Sequence, residues 1–209
     1  TQIENTSFKF YDHNEPATKG FDPTHLWVQN LNTSFEETYF EDGALRGQFI
    51  SLSAYERSGL RLKEFEGKWA YSEDQSSIEN LTLKLNNSSL IGDLNASYPG
   101  IASIVSNPAN LSLAVDIKAA TVDTDDISTF VPALDSQFQV LKPYHVFNFS
   151  TQFSGTLDQL SIEALAVEGL SQTSLMANGS INGLADPLQA HFDFQNIKLN
   201  TRSKDIRQL

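Results

Sequence analysis

The chain has 209 residues, with 26 acidic against 14 basic side chains and a formal net charge of −12. That charge repels nucleic-acid phosphate and an anionic membrane surface, and no Lys/Arg run offsets it locally. Cysteine is absent, so disulfides, thiolate nucleophiles and Cys-ligated zinc are excluded. No stretch approaches the roughly 20 apolar residues of a spanning helix, and no signal-peptide pattern is present. The sequence opens at TQIENTSFKF without a methionine and reads as an internal piece of something longer, or as a processed product.

Taken in chain order, the recurrent pattern is alternation with period two. Leu52–Leu62, LSAYERSGLRL, alternates at both ends around Glu56-Arg57-Ser58-Gly59. Here Leu52 is expected to end a strand, Gly59 to free a bend, and Leu60 and Leu62 to resume the apolar side. NLTLKL then sets Leu81, Leu83 and Leu85 against Thr82 and Lys84. Residues 97–108, SYPGIASIVSNP, break the pattern between two prolines and predict a short helical turn. NLSLAVDIKA sets Leu113, Val115 and Ile117 against Ser112, Asp116 and Lys118.

Residues 124–134, TDDISTFVPAL, predict a second helical turn near 125–131, with Asp125 or Asp126 as its N-cap. VFNFSTQF, QLSIEAL and QAHFDFQ follow as strands carrying Phe147, Phe149 and Phe153, then Leu160 and Ile162, then Ala190, Phe192 and Phe194. Turn pairs punctuate these runs at Asp42-Gly43, Ser58-Gly59, Gly92-Asp93, Ser154-Gly155, Asn178-Gly179 and Asn182-Gly183. Not all of them make tight hairpins, because a glycine inside a strand marks a bulge. The fold class predicted is all-β with one or two short helical turns.

An internal echo accompanies the strands. A shift of 79 positions aligns Leu81-Thr82-Leu83 with Leu160-Ser161-Ile162, Pro108 with Pro187, and Asp126-Ile127 with Asp205-Ile206. It suggests repeat units over about 60–134 and 139–209 within a single 1–209 segment.

Chemistry is sparse. The histidines (His13, His25, His145 and His191) lie outside metal-ligand spacing of one another, and none adjoins a nucleophile elbow. Glu56-Arg57 offers an acid and a partner, but a glycosidase needs a second opposed carboxylate. The simpler reading leaves both solvated, or paired across strands at a bend. VDTDD, residues 122–126, lacks the glycine and distant Glu of an EF-hand. Asn-x-Ser/Thr triplets at Asn5, Asn32, Asn80, Asn95, Asn110, Asn148 and Asn178 arise by chance in a chain rich in these residues, or mark glycosylation in a secreted eukaryotic protein. Trp27, Trp69, Tyr71 and Tyr98 are either ordinary sheet residues or a sugar-binding platform. The chain is expected to be neither an enzyme nor a binder of metal or cofactor.

Several segments occur in a recognisable order. They are FDPTHLWVQNL at 21–31, GQFISLSAYERSGLRLKEFEGKW at 47–69, IENLTLKLNNSSLIGDLNASYP at 78–99, DIKAATVDTDDISTFVPAL at 116–134, and the stretch from 153 to 209 containing Gly179-x-Ile-x-Gly-Leu184. In this order the chain resembles the central region of TamB-like proteins of the AsmA superfamily, in the form found in Bacteroidota. The resemblance implies an elongated U-shaped sheet, a β-taco or repeating β-groove, with an apolar interior. It implies a periplasmic segment of an inner-membrane-anchored bridge that conducts phospholipids between inner and outer membranes and supports outer-membrane protein assembly. The implied partners are phospholipid acyl chains and, through the full-length chain, an outer-membrane barrel protein of the TamA/BamA type. The groove lining would be Leu81, Leu83, Leu85, Leu113, Val115, Ile117, Phe147, Phe149, Leu160, Ile162, Phe192 and Phe194. The alternative is a secreted all-β carbohydrate- or protein-binding module with a closed core. A β-helical hydrolase would need a carboxylate pair that the sequence does not display.

Overall fold

The computed structural model describes residues 1–130, 132, 146–184 and 190–206, apart from the side chains of residues 105 and 206. His145, Pro187 and the ends of the two repeat units lie outside the described residues. Among the described residues twelve strands form one antiparallel sheet. They are β1 (Gln2–Tyr11), β2 (His25–Glu41), β3 (Ala44–Glu56), β4 (Arg61–Leu62), β5 (Glu64–Tyr71), β6 (Gln75–Lys84), β7 (Ser89–Ser97), β8 (Ser112–Asp123), β9 (Val146–Thr156), β10 (Gln159–Gly169), β11 (Thr173–Asn182) and β12 (His191–Asn200). Their order in space is their order in the chain, except that the two-residue β4 pairs β3 beside β5. The sheet is not a closed barrel: β1 and β12 are its two edges.

The described residues include the helices α1 (Ile101–Ser106), α2 (Thr124–Phe130) and α3 (Ser203–Ile206) and a 3-10 turn at Pro108–Asn110. The first two fall where the breaks in alternation predict them. The third is an addition, and it stands at the position that the 79-residue echo pairs with α2. No helix among the described residues is long and apolar enough to cross a membrane.

A one-layer sheet must keep its apolar side chains on one side, and bulges do that here. Asn5, Asn30, Glu37, Asn80 and Asn196 all have φ between 47° and 54°, inside strands. The residues around them repeat: Ile3-Glu-Asn-Thr, Val28-Gln-Asn-Leu, Phe35-Glu-Glu-Thr, Ile78-Glu-Asn-Leu and Phe194-Gln-Asn-Ile. Four of the five use Asn, the non-glycine residue that best tolerates left-handed backbone. The ladder register shifts at each of them. A bulge inserts one extra residue, so the side chains two before and one after it face the same way. Ile78 and Leu81 therefore share a face, as do Phe194 and Ile197.

Neighbouring strands accommodate the bulges. The Asn80 N–H donates to Asp93 Oδ1 at 2.7 Å and the Asn5 N–H to Asn32 Oδ1 at 2.9 Å. Gly92 pairs with Leu81, and a side chain there would collide with the Asp116 carbonyl. Of the predicted turn pairs, Asp42-Gly43 is the β2–β3 hairpin. Gly92-Asp93, Ser154-Gly155 and Asn178-Gly179 instead lie within β7, β9 and β11. Leu52 does not end a strand, since β3 runs on to Glu56.

The bulge account predicts a graded response at Asn80. Asn80→Gly leaves stability within about 0.5 kcal/mol, whereas Asn80→Val loses about 2 kcal/mol because a β-branched residue resists positive φ. Urea unfolding of both variants checks this; equal losses contradict it.

Candidate functional site

The register joins the apolar residues into rows that run across the sheet. One row is Phe65–Leu83–Leu90–Ala120–Phe149–Val167–Leu175–Leu199. The next is Trp69–Ile78–Leu94–Val115–Phe153–Ile162–Gly179–Phe194. A third passes through Ala96, Leu113, Gly155, Leu160, Ile181 and Phe192. Toward β1 the same face continues through Phe49, Phe35, Val28 and Phe8. An aromatic cluster ties these strands together, with ring centroids 6.5 Å apart for Phe35–Phe49, 5.5 Å for Phe49–Phe65 and 6.1 Å for Phe49–Trp69.

The residues expected to line a groove all have a place on this face. Leu83 and Phe149 are in the first row, Val115, Ile162 and Phe194 in the second, and Leu113, Leu160 and Phe192 in the third. Leu81 and Ile117 flank Gly92, and Phe147 pairs with Val122. Leu85 follows β6 in the turn beside Leu83. The opposite face is polar and carries Thr82, Lys84, Ser112, Asp116 and Asn148, with a Lys118–Asp93 ion pair at 2.6 Å. Sequence reasoning missed Phe65, Trp69, Leu90, Leu94, Val167, Leu175 and Leu199. The signal that could have found most of them is alternation carried through small residues, as in Phe65-x-Gly67-x-Trp69, Leu90-x-Gly92-x-Leu94 and Leu175-x-Ala177-x-Gly179; Leu199 follows the phase change at Asn196.

Burial varies along the face. Leu81, Val115 and Leu160 are 5%, 7% and 3% exposed, whereas Phe192 and Leu199 on edge strand β12 are 57% and 58% exposed. Every residue of β1 and β12 is exposed. Both edges thus offer unpaired backbone groups together with apolar side chains.

A second feature lies at one end of the sheet, where β1, β3, β6, β8, β10 and β12 finish. Among the described residues five buried acids lie along that end: Asp22, Glu56, Asp123, Asp126 and Asp205. Their carboxylates accept hydrogen bonds from turns and from a helix start. Asp22 accepts the Thr18 and Thr24 N–H groups and the Thr24 hydroxyl, and stands 3.2 Å from His25 Nδ1 and 3.5 Å from Arg57 Nη2. Those hydrogen bonds, the Thr18 N–H first, hold its carboxyl far below the usual range.

Of the two states expected for Glu56, solvated or paired across strands, the solvated one is excluded by its burial, and its bonds run both within the bend and across to β2. Glu56 accepts the Ser58 N–H at 2.7 Å and the Trp27 N–H at 3.2 Å. Burial pushes its carboxyl up, but these bonds outweigh burial and hold it below its ordinary value. The cap at the start of α2 is Asp123, whose Oδ1 accepts the Asp125 N–H, rather than Asp125 or Asp126. Asp126 instead reaches back to the β6–β7 turn, accepting the Asn87 and Ser88 N–H groups at 2.9 and 2.8 Å. Asp205, at the matching place in α3, accepts the Ser171 and Thr173 hydroxyls and the Gln172 N–H of the β10–β11 turn. The Ser171 hydroxyl is the main reason its carboxyl is lowered.

These acids brace turns, and the Glu56 carboxylate is engaged by the Ser58 and Trp27 N–H groups. No group of three metal-ligating side chains occurs among the described residues. The four aromatics do not form one platform. Trp27 lies on the polar face under Lys9, Trp69 and Tyr71 lie on the apolar face, and Tyr98 is buried against Ser76 at the far end. The fold and site define a one-layer antiparallel β-protein with a single continuous apolar face. No family model, curated protein or solved structure matches the chain.

The depressed acids fix the sign of the pH dependence. Their stabilisation is complete above the unfolded carboxyl pKa of about 4 and is lost as pH falls through the lower folded values. Asp205→Asn should melt below the parent chain at pH 7, and the gap between the two melting temperatures should narrow as pH falls below about 4. A constant gap across that range contradicts the assignment.

Proposed function

We propose that the sheet is a lipid-conducting segment of a longer periplasmic bridge, with phospholipid acyl chains lying against its apolar face. The observation that carries this reading is the continuity of that face through successive ladders, with its side chains still exposed at both edges. A self-filled module would bury such side chains against a second layer, and no second sheet exists among the described residues. Leu81, Val115 and Leu160 are nonetheless nearly buried. This supports a face curled toward itself, as a trough would be, because bulges add twist and bend to every strand they interrupt. The exposed edges support continuation of the sheet by further strands.

The energetics favour such a role. An acyl chain of about 15 methylenes costs on the order of 12 kcal/mol to hold in water, at about 0.8 kcal/mol per CH₂. An apolar face removes most of that cost without any specific contact. Lipid can then slide, because no row binds much better than its neighbour. Support for outer-membrane protein assembly through a barrel partner of the TamA/BamA type belongs to the same proposal and would act through the full-length protein.

Phe192 and Asp193 make the informative pair, since both are exposed on β12 and they differ in side. Val115 is a poorer position, because a charge there is buried without a partner and unfolds the sheet. A photo-crosslinking residue at 192 should capture phospholipid from vesicles several-fold more than one at 193. Equal capture at both, or capture at neither, defeats the proposal.

A further inference from the structure

A half-open apolar cavity near the sheet's carboxylate-braced end lies beneath α2. Leu83, Leu85, Leu90 and Val122 form its floor, and Ile127 and Phe130 of α2 form its roof. Its volume is about 170 Å³, and no polar atom faces the space. The roof is held at both ends. Asp126 binds the Asn87 and Ser88 N–H groups. At the other end the Phe130 ring meets Phe21 at 5.4 Å, and the Phe21 N–H donates to the Thr129 carbonyl at 2.8 Å. The space is therefore formed before any ligand arrives.

From this geometry we infer that the cavity is a seat for the methyl end of a phospholipid acyl chain. This inference rests on the proposed function and deepens it. Leu83, Leu90 and Val122 also belong to the apolar face, so the cavity opens along that face and not only to solvent. Ser88, Ser89 and Asp126 also line it but turn no polar atom toward it, so an occupant can place no polar group there without losing hydrogen bonds. The volume is close to that of dry cavities of about 150 Å³ that take up benzene or xenon. It holds a few methylenes and excludes a headgroup. An occupant that reaches the cavity along the face must be thin and apolar over its whole length, which describes an acyl chain entering end first. The α2 roof then acts as a stop that fixes how far the chain slides toward this end of the sheet.

The test uses the 209-residue chain and phosphatidylethanolamine vesicles carrying a diazirine either at the acyl methyl end or beside the ester. After irradiation, the methyl-end probe should label peptides spanning 83–90 and 122–130, and the ester-side probe should not. Val122→Phe fills the cavity from the floor and Ile127→Phe from the roof. Whichever variant keeps the parent's melting behaviour should lose about ten-fold of that labelling, the equivalent of about two methylenes returned to water. Labelling of β12 should persist. Equal labelling by the two probes overturns the inference, as does labelling that survives both fillings, and in either case the proposed function stands. A free fatty acid with the same methyl-end probe that labels 83–90 while the phospholipid does not also overturns it. Absence of labelling anywhere on the apolar face removes the proposed function with it.

Discussion

Everything in this molecule depends on keeping one face of a single sheet apolar through twelve strands. Strict alternation cannot do this where strands must also bend and twist, because one slipped residue sends every later side chain to the other side. The chain solves the problem locally. An apolar residue, a Glu or Gln, a left-handed residue that is usually Asn, and then Thr or another apolar residue make up five phase changes in β1, β2, β6 and β12, while those at Ile117/Ala120 and Ile162/Leu165 use no left-handed residue. The Asn supplies the backbone conformation, while its flanking residues hold the face. Neighbouring glycines such as Gly92 then make room where the bulged strand crowds its partner.

The second constraint is that a one-layer sheet has little bulk with which to hold its turns. At one end, buried carboxylates do this work by accepting backbone N–H groups from the turns beside them. Asp126 and Asp205 perform the same task on equivalent elements: a strand, a short helix, and a carboxylate that reaches back to the preceding turn. Asp22 and Glu56 do so in the first part of the chain. Because α2 is held by Asp126 and by Phe21, it both closes this end and roofs the apolar space against Leu83 and Leu90. The stability of the end and the shape of the face thus share the same few residues.

Much of the architecture was legible in the sequence. Alternation in 81–85, 111–117, 147–153 and 190–194 gave strands and the side on which their apolar residues lie, because a period of two is imposed by the pleat. The breaks near 99–106 and 125–131 gave the first two helices. What stayed hidden has physical causes. Asn80 and Asn196 look like ordinary polar residues in alternating runs, yet their positive φ changes the phase, so Ile78 and Ile197 could not be assigned to the apolar face by counting. Glu56 could be read only as solvated or paired across strands because its partners, the Trp27 and Ser58 N–H groups, are backbone donors without a sequence signature. Asp205 was visible only as an echo of Asp126, and its partners Ser171 and Thr173 could be assigned only once β11 and β12 were paired.

The central claim is that the apolar face is a surface for lipid rather than half of a closed core. Native mass spectrometry of the 209-residue chain, incubated with mixed phospholipid vesicles and recovered by flotation and release, tests it most directly. The account predicts adducts of whole-phospholipid mass with little preference among headgroups, since the face carries no group to recognise one. A chain that emerges without lipid, or that binds a single headgroup class regardless of its acyl chains, would contradict it.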